Sequence, residues 1–175
     1  MEERTSIANE YDYAVFIRPT PDEKKYGSAR ARHVVDAAID YIQAHGLHRS
    51  FLYLHFMDTH EVRLFEPGCK RFYKGTYLGG RLSRENKPKA LTNPLSSEER
   101  RYLDVVYDCS LASVDQELGR LFQVLQDLGL WRGTLLIITA DHGEHLLEVA
   151  GRWAHGGPWY DAVAKVPLVI AAPGV

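Results

Sequence analysis

"TLLIITADHGEHLLEVAGRWAHGG" (residues 134–157) is the stretch whose reading decides the fold. Its first five residues, Thr134-Leu135-Leu136-Ile137-Ile138, carry hardly a polar atom. Gly133 and Asp141-His142-Gly143 flank them with turn chemistry. The run is too short to span a membrane. A continuous apolar run bounded by turns reads as a strand buried on both faces, as in a parallel sheet covered by helices. Asp141 and His142 then leave the strand's carboxyl end, the edge at which open α/β sheets place their ligands. An Asp beside a His at that edge points to a metal. The same stretch also holds His145 and His155, so it carries three of the chain's eight histidines.

Upstream, "SARARHVVDAAIDYIQAHG" (28–46) spaces Val34, Val35, Ala38, Ile39 and Ile42 near helical period. Ser28 can cap its start, and Gly46 stands where a left-handed C-terminal cap is wanted. "FLYLHFMDTH" (51–60) opens with a second strand-like run, in which His55 reads as a satisfied interior histidine. Asp58 and His60 fall just past that run, in the same topological place as Asp141 and His142. Two strands would thus deliver Asp and His to one edge of a sheet.

Downstream of them, "CKRFYKGTYLGGRLSRENKPKALTNPL" (69–95) shows no sustained period. From Lys70 to Lys89 it sets seven cations against the single acid Glu85. It reads either as a solvated loop or as a basic lip for an anionic substrate, with Phe72, Tyr73 and Tyr77 able to stack. Ser96 and Glu99 then have capping-box spacing, and apolar residues from Leu103 to Leu128 follow at three- and four-residue steps. Gly129 closes that helix, with Leu130 placed to pack back on Leu125. Asp108 and Asp115 read as ordinary acids of an exposed face. "VPLVIAAPGV" (166–175) is a third strand-like run, and its position at the chain's end hints at truncation.

The predicted fold is therefore α/β: a mainly parallel sheet with strands near 51–56, 134–139 and 166–171, flanked by helices near 30–45 and 97–128. The chain's 175 residues, 45% hydrophobic and 25% charged with net charge −2, fit one soluble domain. Near-neutral charge and the lack of a recognisable module argue against a nucleic-acid partner. No apolar run approaches membrane-spanning length, and the acidic start "MEERTSIANEYDYAVF" is no signal peptide. Cys69 and Cys109 make neither a CxxC pair nor a disulfide framework. Compartment and oligomeric state stay unread.

The ordered set of helix, D-x-H strand, long helix, T-A-D-H-G-E, A-H-G and V-P-L-V-I resembles the C-terminal part of the sulfatase catalytic domain, in the alkaline phosphatase superfamily. It runs over residues 28–175 and leaves 1–27 unassigned. The resemblance implies an alkaline phosphatase-like fold, here expected to be incomplete, over a partial catalytic domain of residues 1–175. It implies hydrolysis of sulfuric esters, with a sulfated small molecule or glycan as substrate. By position, Asp141 and His142 match the two adjacent ligands of the family's divalent metal, usually Ca2+, with Zn2+ as the alternative. His155 matches a residue that binds sulfate oxygens, and His60 one that binds sulfate or protonates the leaving oxygen. A metal and two cationic or hydrogen-bonding groups are what such a transition state needs.

Departures from the pattern are equally specific. Sulfatases commonly continue D-P-H-x-P-Y, where this chain has Asp58-Thr59-His60-Glu61-Val62-Arg63. The C/S-x-P-x-R motif, whose Cys or Ser becomes formylglycine, has no counterpart, nor do the family's first two metal aspartates. Two other readings stand beside the first. One is a two-zinc phosphoryl-transfer enzyme, in which His155 would be a metal ligand; the other is a non-catalytic truncated or binding domain. Glu144 and His145 are expected to begin a short helix facing solvent, and His33, His45 and His48 to lie on the surface.

Overall fold

A computed structural model describes residues 15, 17–21, 29–46, 48–60, 75, 95–148 and 152–173. Helix α1 spans Ala31–His45 and buries Ala31, Val35, Ala38, Ile39 and Ile42 along one face. No side chain of its own segment caps it, since Arg30 occupies the N-cap. The cap comes from across the fold: Ala31 N–H donates to Asp58 Oδ1 at 3.1 Å. An acid at a helix start satisfies an orphan donor and suits the positive end of the dipole. Ser28, the expected cap, lies outside the described residues. Gly46 is right-handed, with φ −57°, and not the left-handed cap expected. Its need is for space: a Cβ there would stand 2.6 Å from the Ile42 carbonyl oxygen and 3.1 Å from Leu130 Cδ1.

Helix α2 spans Ser97–Asp127, 31 residues and about 45 Å. Its capping box forms as the spacing predicts: Glu99 N–H donates to Ser96 Oγ and Ser96 N–H to Glu99 Oε2. At the other end Gly129 takes φ +69°. Leu130 N–H then reaches Leu125 C=O at 2.8 Å and Gly129 N–H reaches Gln126 C=O at 2.9 Å, the Schellman pattern. Val35, Ala38, Ile39 and Ile42 of α1 pack with Leu121 and Leu125 of α2, and Leu54, Phe56, Val124, Leu130 and Trp131 close round them. Arg120 staples the pair by donating to Asp36 Oδ1 and the Arg32 carbonyl. Because α1 is half as long, it covers only the C-terminal part of α2. Tyr102, Leu103, Val106 and Cys109 are buried farther up, while Leu111 between the two sets is exposed.

After a single 3-10 turn at Trp131–Gly133 come strands β1 (Leu136–Thr139), β2 (His145–Leu146) and β3 (Trp153–Ala154), helix α3 (Asp161–Ala164) and strand β4 (Leu168–Ala171). β1 pairs antiparallel with β4, Leu136 opposite Ala171 and Thr139 opposite Leu168. β2 pairs antiparallel with β3, His145 opposite Ala154. A mainly parallel sheet is therefore not what the described residues form. Residues 51–56 join no strand; Leu54 and Phe56 pack against the helical core while Phe51 and Tyr53 face out. His55 is exposed as well, not interior. Nor is β1 buried on both faces: Leu136 and Ile138 are half-buried, and Ile137 is 55% exposed. An apolar run reports a capacity for burial on two faces, and here only one face of β1 meets other described residues.

Cys109 is disulfide-bonded, a bond that the absence of a CxxC pair or a disulfide framework in the sequence did not announce. The basic segment 70–89 lies, apart from Gly75, outside the described residues. Among the described residues no helix is long and apolar enough to cross a membrane.

Candidate functional site: a three-histidine cluster

Three turns bring three imidazoles together. The Asp58-Thr59-His60 turn follows residues 51–57, and its aspartate is anchored on the start of α1. That bond holds His60 in place at one end. His142 follows β1, where Asp141 Oδ1 accepts the His142 N–H at 3.0 Å and tightens the chain reversal. His155 follows β3 within the glycine-containing turn. One ring nitrogen from each of His60, His142 and His155 lies within 4.8 Å of the others. Ring centroids are 4.1 Å apart for His142 and His155, 4.8 Å for His60 and His155, and 6.0 Å for His60 and His142.

Gly143 makes this approach possible. Its N–H donates to Val163 C=O at 2.7 Å, and a Cβ at this position would press onto the Ala162 carbonyl oxygen. Only a residue without a side chain lets the loop lie so close to α3.

Two of the three rings have a defined outer partner. His142 Nδ1 is 2.9 Å from the Gly143 carbonyl oxygen, and His155 Nδ1 is 3.0 Å from Glu144 Oε1. A carbonyl oxygen can only accept, and so can an ionised carboxylate, so both Nδ1 atoms carry the proton and donate. In the neutral rings the lone pairs then sit on Nε2. The Glu144 side chain is 6% exposed. Burial first, and then the Glu144 and Asp108 carboxylates, push the Tyr107 phenol above its usual range, which ties α2 electrostatically to this loop.

Of the four residues singled out in the sequence, His60, His142 and His155 meet. Asp141 is adjacent but turned outward: its side chain is 78% exposed, and its Oδ1 lies 3.8 Å from His142 Nε2. Glu144 and His145 do not begin a solvent-facing helix. His145 opens β2 and is fully buried, its ring edge-on to Tyr160. Glu144 is the functional candidate that the sequence reading missed. The only signal was its place two residues after His142; the partner His155 lies eleven residues on.

A cluster of imidazoles backed by a buried carboxylate offers groups of the kind that could hold a cation or an oxyanion. The chain belongs to the Sulfatase family, whose model matches residues 2–175. Arylsulfatase K from Bos taurus is 33% identical over 87 residues, covering 50% of this chain and 16% of that protein. Iduronate 2-sulfatase from Homo sapiens is 35% identical over 81 residues, covering 46% and 14%. The matched segment is thus about a sixth of the length of these relatives. Among solved structures, the phosphonate monoester hydrolase SpPMH from Silicibacter pomeroyi superposes with a TM-score of 0.66 over 97% of this chain and 41% of that one, at 23% identity. That likeness shows a shared fold.

The divalent metal implied by this family can be set against the residues present. A hard cation such as calcium takes six to eight oxygens. The cluster offers three ring nitrogens, and one oxygen each of Asp141, Glu144 and Asp58 accepts from His142 N–H, from His155 Nδ1 and from Ala31 N–H. The described residues of the cluster do not by themselves supply such an oxygen shell.

Proposed function

We propose that the chain contributes part of a sulfuric ester hydrolase site, built around His60, His142 and His155 with Asp141 at its edge, and acting with a divalent cation on a sulfated small molecule or glycan. The observation that carries this reading is the convergence of three imidazoles from three separate turns, in a chain of the Sulfatase family. A sulfate ester presents several oxygens with shared negative charge. Closely spaced N–H donors or a cation are the groups that stabilise it as the bond to the leaving oxygen breaks. An imidazole can also return a proton to that oxygen.

The proximity of His155 to His142 favours a second reading, phosphoryl or phosphonyl ester chemistry, in which His155 serves the cation instead of the anion. A titration separates the two. The chain is mixed with an aryl sulfate, and in parallel with an aryl phosphonate monoester, while histidine ring resonances are followed by NMR. Under the first reading the sulfate shifts His60, His142 and His155 and leaves exposed His45 still, and His60→Ala weakens binding about tenfold, the loss of roughly one charge-assisted hydrogen bond. Perturbation by the phosphonate alone would favour the second reading. No perturbation by either ester would overturn both.

A further inference from the structure

We propose that Arg152 and the Gly156–Gly157 turn form a second anion subsite beside the three-histidine cluster, one that takes a further sulfate or carboxylate group of the substrate. The preferred substrate is then a sugar with at least two anionic groups, one at the scissile ester and one held by the guanidinium. This inference deepens the hydrolase reading and rests on it. Arg152 is assigned to recognition of the substrate and not to the bond that breaks.

Three observations carry it. The first is an uncompensated cation. Arginine is rarely buried without a partner. Arg152 Nε is nonetheless buried without a hydrogen bond, and among the described residues no carboxylate takes its guanidinium. From Arg152 to Tyr160 the chain has no acid at all. The acids on either side are engaged elsewhere: Glu148 accepts Leu146 N–H, and Asp161 pairs with Lys165, each at 2.6 Å. A guanidinium carries five N–H donors in a planar fork, which matches two oxygens of a carboxylate or a tetrahedral oxyanion. The second observation is how that fork is held. It lies over the Tyr160 ring, 5.9 Å from the centroid. Tyr160 is fixed in turn, since its carbonyl accepts from Val163 and Ala164 N–H and the fully buried His145 ring meets it edge-on. A cation over an aromatic face is oriented through its charge, so its N–H groups stay available. The third is place. A Cβ at Gly157 would stand 2.7 Å from Arg152 Nη1, so the glycine turn, with Gly157 at φ +109°, lies directly against the guanidinium. His155 is two residues before Gly157, and two residues span at most about 7 Å. A single ligand of saccharide size can therefore reach both side chains. Gly156, Gly157 and Pro158 are exposed, which leaves the turn open to it.

The test titrates the full chain with three sugars of one skeleton: a monosulfate, the disulfate, and a monosulfate that also bears a carboxylate. Calorimetry gives affinity, and the histidine ring resonances give location. The disulfate or the carboxylated sugar is expected to bind at least about tenfold more tightly than the monosulfate, the worth of one charge-assisted bidentate contact. Whichever of the two shows the gain names the group that Arg152 takes. Arg152→Gln should bring that ratio down to near one. Arg152→Lys should leave it in between, because a point charge does not grip two oxygens; it also serves as the test if the glutamine variant fails to fold. A guanidinium that only braces Tyr160 would lower the thermal midpoint on substitution and leave the ratio as it was, and that result overturns the proposal. Equal affinity for all three sugars overturns it as well, while the hydrolase reading still stands on the monosulfate's shift of His60, His142 and His155. Binding of no sugar overturns both.

Discussion

Gly143 sits between the two residues that give the cluster its chemistry, and its missing side chain is a structural requirement. With the Ala162 carbonyl pressed against the position a Cβ would take, Gly143→Ala must push the loop off α3 and break the bond to Val163 C=O. Overpacking of this kind costs about 1–3 kcal/mol, which for a chain of this size lowers Tm by several degrees. Because His142 and Glu144 are its neighbours, the same substitution should also disturb their contacts with Gly143 C=O and His155 and shift both ring resonances. Thermal unfolding and the histidine ring NMR spectrum check both, and a variant matching the parent in each would show that the loop is not held by this contact. At this scale the sequence was informative where chemistry is local. Asp141, His142, His60 and His155 could be singled out because turn residues and motif spacing mark them. The outward turn of Asp141 could not be read, because it depends on the Asp141 carboxylate closing on the next backbone N–H. The burial of Glu144 could not be read either, because it needs His155 from eleven residues away.

Among the elements, α1 and α2 form the part of the molecule whose stability rests on ordinary side-chain packing. Leu121 is buried between Ile39, Ile42 and their neighbours, so Leu121→Ala leaves a cavity that two stiff helices cannot fill. The expected loss is about 2–5 kcal/mol in denaturant unfolding. Arg120→Ala, one residue away, removes an exposed ion pair to Asp36 and should cost under about 1 kcal/mol. Equal losses for the two would mean that the helices are joined by charge and not by their apolar faces. Both helices were legible to within a residue or two. Their 3.6-residue period is a property of contiguous sequence, and so are the caps of α2, the Ser96–Glu99 box and the Gly129 turn, whereas the start of α1 takes its cap from Asp58 across the fold. Of the strands, β1 and β4 fall within the expected 134–139 and 166–171, whereas 51–56 joins none, and the pairing was not legible. Apolar runs at 51–56, 134–139 and 166–171 state only that the chain can be extended and buried. Partner and direction are set by long-range pairing, and β1 found β4 antiparallel.

At the scale of the molecule, the described residues leave much apolar surface exposed. Leu135, Ile137, Leu168, Val169 and Ile170 are all half exposed or more, and they lie on or beside the β1–β4 ribbon. Phe51 and Tyr53 add two aromatic rings. The consequence is calorimetric. The heat-capacity increment of unfolding measures apolar surface newly hydrated when the chain opens, and side chains already wet in the native state add nothing to it. A domain of 175 residues with ordinary burial would show about 2.1–2.6 kcal/mol/K. This chain should fall below that range, and its denaturant m-value should be correspondingly small. Its curve of free energy against temperature would then be shallow, with a broad, low maximum. Differential scanning calorimetry at several pH values measures the increment directly, and a value inside the ordinary range would mean that the ribbon's outer face is covered in solution.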